Sequence, residues 1–263
     1  MTRRFVDVSQ GTVHYAEAGG GDPVLLLHQT PRSWDEFRDV LPLLGRKRRA
    51  IAMDTIGFGD SEPLPPGSDS IETWSEVVLA LLDALAIERV DLVGHHTGAV
   101  IALETAVRSP DRVRSVVLSS SPYDEPGAPA AAAPGRTVVD EVEPSADGSH
   151  LLELWRTRAA FYPSGDTDLL QRYIVDALKA GPRAAEGHRV VARYDIVSAV
   201  GLIACPVLLI GATADPFAYP ALARLRAELP EAETTEIEGG MVPLPDQLPE
   251  AFAAAVERFL ATL

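Results

Sequence analysis

Short apolar runs and longer amphipathic runs alternate along the chain. Residues 5–8 and 12–18 alternate apolar with polar positions, the period-two pattern of antiparallel edge strands. Residues 24–27 form a continuous apolar run that closes on His28, as expected of a strand covered on both faces. Residues 33–44 read as a helix, with Ser33 placed to cap it and Glu36 three positions on, the capping-box spacing. Residues 50–53 form a strand that runs into the Gly-rich turn Gly57-Phe58-Gly59-Asp60-Ser61. Residues 70–85 carry apolar positions at helical spacing through Ile71, Trp74, Val77, Val78, Leu81, Leu82 and Leu85. Strands at 89–93 and 114–118 flank a helix at 98–107. Near the end, strands at 206–210 and 234–237 alternate with helices at 220–229 and 249–260. Strands separated by helices of this length imply βαβ units, hence an α/β fold whose mostly parallel twisted sheet has helices on both faces.

The alternation breaks once. Residues 122–200 begin with a Pro/Ala/Gly-rich stretch, whose Ala-Pro run is expected to lack fixed structure or to act as a hinge. Helix-like segments follow at about 151–161 and 168–180, with no strand-like run. A core of residues 1–121 and 201–263 with a helical cap, or lid, at 122–200 follows. The insertion is placed over the carboxyl ends of the strands, where open α/β sheets bind ligands.

Charge and cysteine content narrow the function classes. The 263 residues hold 23 Lys+Arg against 38 Asp+Glu, a net charge of −15, which disfavours phosphate backbones and anionic lipid as partners. The basic run 46–49 leads straight into a strand and reads as a solvated loop end. No run approaches the roughly 20 apolar residues of a membrane span, and the N-terminus places an acid where a signal peptide needs an apolar core. A cytoplasmic protein acting on a small molecule is the expectation; the oligomeric state stays open. The single cysteine, Cys205, excludes an internal disulfide and reads as a buried hydrophobe. No cofactor or metal is implied. The adjacent His95 and His96 would diverge as co-ligands, and Gly19-Gly20-Gly21 leads into another strand and cradles no phosphate.

Candidate chemistry centres on Val93-Gly94-His95-His96-Thr97-Gly98. Here a buried strand turns into a helix with glycines four apart, the Gly-x-nucleophile-x-Gly spacing of a nucleophile elbow. Three further stretches stand in order with it. They are Leu27-His28-Gln29-Thr30-Pro31, Asp54-Thr55-Ile56-Gly57-Phe58-Gly59-Asp60-Ser61 and Gly211-Ala212-Thr213-Ala214-Asp215-Pro216. Together they resemble the α/β-hydrolase superfamily over nearly the whole chain. The resemblance implies an oxyanion hole from the backbone N–H groups of Thr30 and Thr97, with Gln29 replacing the usual Gly of the first loop, and an acid at Asp215. It departs from the family where the chemistry should be: His96 stands in place of Ser, Cys or Asp, and Glu238-Gly239-Gly240-Met241-Val242-Pro243 lacks the usual histidine, with Met241 beside its place.

Three readings remain open. In the first, Asp215 orients His96, which acts as general base and acid in hydrolysing an ester, lactone or other activated carbonyl. In the second, the same pair moves a proton in a lyase, decarboxylase, cyclase or isomerase. In the third, a small-molecule binding protein has kept the pocket and lost the chemistry. The pocket candidates are His28, His95, Ser120, Trp155, His188 and Met241, each with a structural alternative. His28 steadies its loop, His95 packs behind the elbow, and Ser120 ends a strand with Ser119 and Ser121. Trp155, with Phe161, Tyr162 and Tyr173, packs the inserted helices, while His188 either reaches down from them or is solvated. Asp54 is expected to brace its turn.

Overall fold

A computed structural model describes residues 1–124 and 140–263; the Ala-Pro run lies outside them. Eight strands form one sheet: β1 (Thr2–Val8), β2 (Gly11–Gly19), β3 (Pro23–Leu27), β4 (Arg49–Met53), β5 (Val90–His95), β6 (Val113–Ser119), β7 (Val207–Ala212) and β8 (Glu233–Ile237). Their order is β1-β2-β4-β3-β5-β6-β7-β8. β1 and β2 pair antiparallel, as does β2 with β4, and the remaining pairs are parallel. The described helices are α1 (Val40–Leu44), α2 (Ile71–Ala84), α3 (Thr97–Arg108), α4 (Ser149–Ala159), α5 (Thr167–Ala180), α6 (Arg183–Arg193), α7 (Ile196–Val200), α8 (Leu222–Glu228), α9 (Leu244–Gln247) and α10 (Pro249–Leu260).

The continuous apolar strands are explained by cover on both faces. Leu25 and Leu27 lie on the sheet face covered by α2, α3 and α8, whereas Val24 and Leu26 lie on the face covered by α1 and α10, because successive side chains leave a strand on opposite sides. Between β6 and β7 the described residues are helical. Leu154, Tyr162, Leu169, Leu170, Tyr173 and Ala177 build a small core of their own within α4, α5 and the link between them. Residues of α6 and α7, including Val190, Ile196 and Val200, join the main core beside α3 instead.

Two local expectations change. The helix expected over 33–44 is a 3₁₀ turn, Trp34–Phe37, followed by the short α1. Ser33 Oγ does accept from the Asp35 N–H at 3.3 Å, but Glu36 forms no capping box. Its carboxylate turns back to the Gln29 backbone N–H at 2.8 Å and Gln29 Nε2 at 2.5 Å. A tertiary acceptor site for Gln29 outcompetes the local cap. The helices α6 and α7 and the one-turn α9 were not legible as separate elements, because Arg- and Ala-rich α6 carries too few large apolar residues to show a period. The basic run 46–49 is tied down at its end: Arg48 pairs with Glu257 at 3.2 Å and Arg49 with Glu17 at 3.0 Å.

Candidate active site

The elbow is built by two glycines that permit close backbone approach. A Cβ at Gly94 would strike the Gly98 carbonyl, and one at Gly98 would strike the Leu27 carbonyl on β3. The chain between them reverses at His96, with φ +48° and ψ −114°, a strained conformation for a side chain of that size. The His96 N–H is fastened to the Ser119 carbonyl at 3.0 Å.

His96 follows β5 and Asp215 follows β7, so a contact between them must cross the end of β6, which lies between those strands. The imidazole makes that crossing: Nε2 lies 2.7 Å from Asp215 Oδ2, across 119 residues of sequence. The other carboxylate oxygen, Oδ1, accepts the backbone N–H groups of Phe217 at 2.9 Å and Ala218 at 3.1 Å. Burial raises the cost of charging Asp215. His96 and the two amides outweigh it and pull the carboxyl down to about 2, so it is ionised at neutral pH. Its loop is held in turn by Ala214 N–H on the Gly240 carbonyl at 2.8 Å. An ionised carboxylate on Nε2 keeps the ring proton there and leaves Nδ1 as the basic nitrogen of a neutral ring. The His96 side chain keeps 15% of its surface exposed.

Thr30 and Thr97, which the resemblance implies as oxyanion donors, do meet: the Thr30 N–H points at Thr97 Oγ1, 3.3 Å away. Gln29 is buried against Glu36, and its Nε2 also lies 3.4 Å from the Val242 carbonyl, tying the first loop to the loop after β8. Met241, beside the place of the usual histidine, is half-buried, and its N–H donates to Gln247 Oε1 at 2.7 Å.

The pocket candidates differ in their surroundings. His95 is fully buried with both nitrogens engaged, by Ser119 Oγ at 3.0 Å and the Val242 carbonyl at 2.8 Å. Burial first, then the neighbouring His96, pushes it down to about 3, so it stays neutral and structural. His28 is equally enclosed: Nδ1 meets the Gln29 carbonyl at 2.8 Å and Nε2 accepts from the Thr55 N–H at 2.9 Å. Trp155 packs against the small core of α4 and α5. Ser120 is buried with φ +46°, and its Oγ has no hydrogen-bond partner among the described residues. It lines a small cavity with Gly211, Ala218 and Leu222, beside the Asp215 loop. His188 does not stand free in solvent, since its Nε2 lies 2.6 Å from Asp140 Oδ2. Nothing in the sequence marks Asp140 as that partner, 48 residues away.

Asp54 braces its turn, with Oδ1 accepting from the Trp34 N–H at 2.6 Å and Oδ2 from His14 Nδ1 and the Asp60 N–H, both at 2.8 Å. Tertiary structure thus brings together three metal-capable side chains, His14, Asp54 and Asp60, that sequence spacing keeps apart. They are knit to one another and to Lys179, which pairs with Asp60, so the set reads as a brace. Burial pushes the Cys205 thiol up to about 11, leaving an unreactive side chain. No described helix is long and apolar enough to cross a membrane.

Comparison with known proteins agrees with this architecture. The profile of the alpha/beta hydrolase fold matches residues 22–137. A 2-hydroxymuconate semialdehyde hydrolase of Pseudomonas sp. (strain CF600) is 40% identical over 108 residues, covering 40% of this chain and 38% of that protein. Haloalkane dehalogenase 2 of Mycobacterium tuberculosis (strain ATCC 25618 / H37Rv) is 35% identical over 118 residues, 45% of this chain and 41% of that one. The matches to these curated relatives therefore span about two fifths of their length. Among solved structures, the enol-lactonase from Burkholderia xenovorans LB400 superposes with a TM-score of 0.78 at 23% identity, covering 98% of this chain and all of that one. A thermophilic esterase from Thermogutta terrifontis gives 0.81 at 21% identity, covering 100% and 99%. The chain has the α/β-hydrolase fold, and residues 22–137 match the profile of that fold.

Proposed function

We propose that the protein is a hydrolase of small carbonyl substrates, an ester or lactone, in which His96 replaces the usual nucleophile and acts as general base and acid. The observation that carries this reading is the 2.7 Å contact between His96 Nε2 and the buried, ionised Asp215. The acid meets the elbow residue directly, where the family interposes a second histidine.

In this mechanism Nδ1 of His96 takes a proton from a water molecule as its oxygen attacks the carbonyl carbon. The carbonyl oxygen becomes an oxyanion received by the backbone N–H groups of Thr30 and Thr97, displacing the Thr97 hydroxyl from its contact with Thr30. As the tetrahedral intermediate collapses, the Nδ1 proton passes to the departing alkoxide and the ring returns to its neutral form. Asp215 stays ionised throughout and stabilises the transient imidazolium. The inserted helices are proposed as the cap over this site. The relatives named hydrolase, esterase and enol-lactonase support the reaction class.

The test is turnover of p-nitrophenyl butyrate and dihydrocoumarin in ¹⁸O-labelled water. Hydrolysis predicts one labelled oxygen in the product acid and a fall in kcat of about 10²-fold or more for His96→Ala. Product without label points to the proton-transfer reading. Equal rates for wild type and His96→Ala refute the pair as catalytic and leave the binding-protein reading.

A further inference from the structure

A second acid–imidazole pair lies in the inserted helices. Asp140 is 5% exposed, and its carboxylate gathers donors from three helices. Arg158 Nε lies 2.6 Å from Oδ1 and His188 Nε2 lies 2.6 Å from Oδ2, while Arg158 Nη2 and the Tyr173 hydroxyl complete the set. Burial opposes the charged form of Asp140, but Arg158 and His188 outweigh it and hold the carboxyl well below the ordinary range. The Arg158 guanidinium is stacked 4.6 Å from the centre of the Tyr173 ring, so neither partner is free to move off.

His188 is the member of this cluster with an idle function. Its Nε2 faces both Asp140, at 2.6 Å, and Arg158 Nη2, at 3.3 Å. A guanidinium only donates, so the shorter contact to an ionised carboxylate places the ring proton on Nε2. With the proton on Nε2 alone, Nδ1 is an acceptor, and it has no hydrogen-bond partner among the described residues. The side chain remains 18% exposed.

Neighbours of the cluster in the chain touch loops of the proposed site. On the acid side, Phe161 packs against Phe217 with ring centres 4.7 Å apart, and Phe217 is the residue whose N–H holds Asp215. On the oxyanion side, Gly187 lies so close to the Thr30 side chain that a Cβ there would overlap it. Arg158 precedes Phe161 by three residues and His188 follows Gly187 directly, so the cluster is next in the chain to both contacts.

We propose that His188, oriented by Asp140, is a specificity-determining residue: its Nδ1 accepts a hydrogen bond from a substrate hydroxyl group remote from the reacting carbonyl, so the site selects hydroxylated esters or lactones. This rests on the reading of His96 as the base. A substrate without that hydroxyl would leave the acceptor unpaired under a closed roof. Such a mismatch discriminates by about tenfold or more.

The experiment compares p-nitrophenyl 3-hydroxybutyrate, both enantiomers, with p-nitrophenyl butyrate. Wild type should favour one hydroxylated enantiomer in kcat/KM by about tenfold or more. The ratio should fall to near one in His188→Leu and be partly kept in His188→Gln, whose carbonyl still accepts. An unchanged ratio in His188→Leu overturns the proposal. Failure of the His96 reading shows separately, as undiminished turnover of both esters by His96→Ala. A second readout needs no turnover: in ¹⁵N-histidine spectra, His188 should carry its proton on Nε2, and Asp140→Asn should mix the tautomers. Added 3-hydroxybutyrate should shift Nδ1 where butyrate does not. A proton on Nδ1, or equal shifts with both acids, refutes the assignment.

Discussion

Breaking the His96–Asp215 pair should be visible in stability before any substrate is found. Asp215 lies at about 2 instead of its ordinary 3.8. At 1.36 kcal/mol per pH unit that difference is worth about 2.5 kcal/mol of folding stability. The sign follows from a depressed carboxyl: the contribution is present above pH 3.8 and is lost as pH falls through about 2. It is also what remains after the cost of burial, so the attractions from His96 and the amides of Ala218 and Phe217 exceed it together. His96→Ala removes the first attraction and keeps the burial. The carboxyl should then rise to the ordinary range or above, and the variant should lose about 2–3 kcal/mol at pH 7. For a chain of this size that is a fall in Tm of about 4–12 °C. Urea denaturation from pH 2 to 8, with ¹³C-carboxyl titration of Asp215, measures both quantities. In the variant the loss of stability that Asp215 contributes between about pH 4 and 2 should disappear. If Asp215 still titrates near 2 without His96, the amides alone hold it and the coupling claimed here is refuted.

Organofluorophosphonate probes should leave the protein unlabelled, since no serine occupies the elbow; mass spectrometry showing stoichiometric labelling at Ser119, Ser120 or Ser121 would contradict this. Gly98→Ala should cost more than about 3 kcal/mol, because its methyl group meets backbone rather than a movable side chain; soluble yield and Tm report it. Ser120→Gly should stabilise by about 1 kcal/mol, relieving a positive φ and deleting a buried hydroxyl without a partner, and raise Tm by about 2–4 °C. Arg32 is fully buried and binds Asp176 at 2.9 Å and Asp246 at 2.6 Å. Arg32→Met should therefore destabilise by about 3–5 kcal/mol, leaving Asp176 without its guanidinium and Asp246 with Arg172 alone. Chemical denaturation checks that value.

Periodicity along the chain was enough to specify the sheet and its covering helices, because burial on two faces writes a continuous apolar run into each central strand. The two elbow glycines and the αL-tolerant His96 were legible for a similar reason. Backbone approach and positive φ admit few residue types, so the geometry leaves a spacing in the sequence. Asp215 was legible only through resemblance, since its place after β7 says nothing by itself about what it touches. Tertiary structure decided the pairings that no spacing encodes. It set His96 against Asp215 across the end of β6, turned Glu36 from a helix cap into the anchor of Gln29, and enclosed His95 and His28 until neither had a nitrogen free. It also joined His188 to Asp140. A side chain's chemistry depends on its charged and hydrogen-bonding neighbours within about 3 Å, and those neighbours came from segments up to 147 residues away.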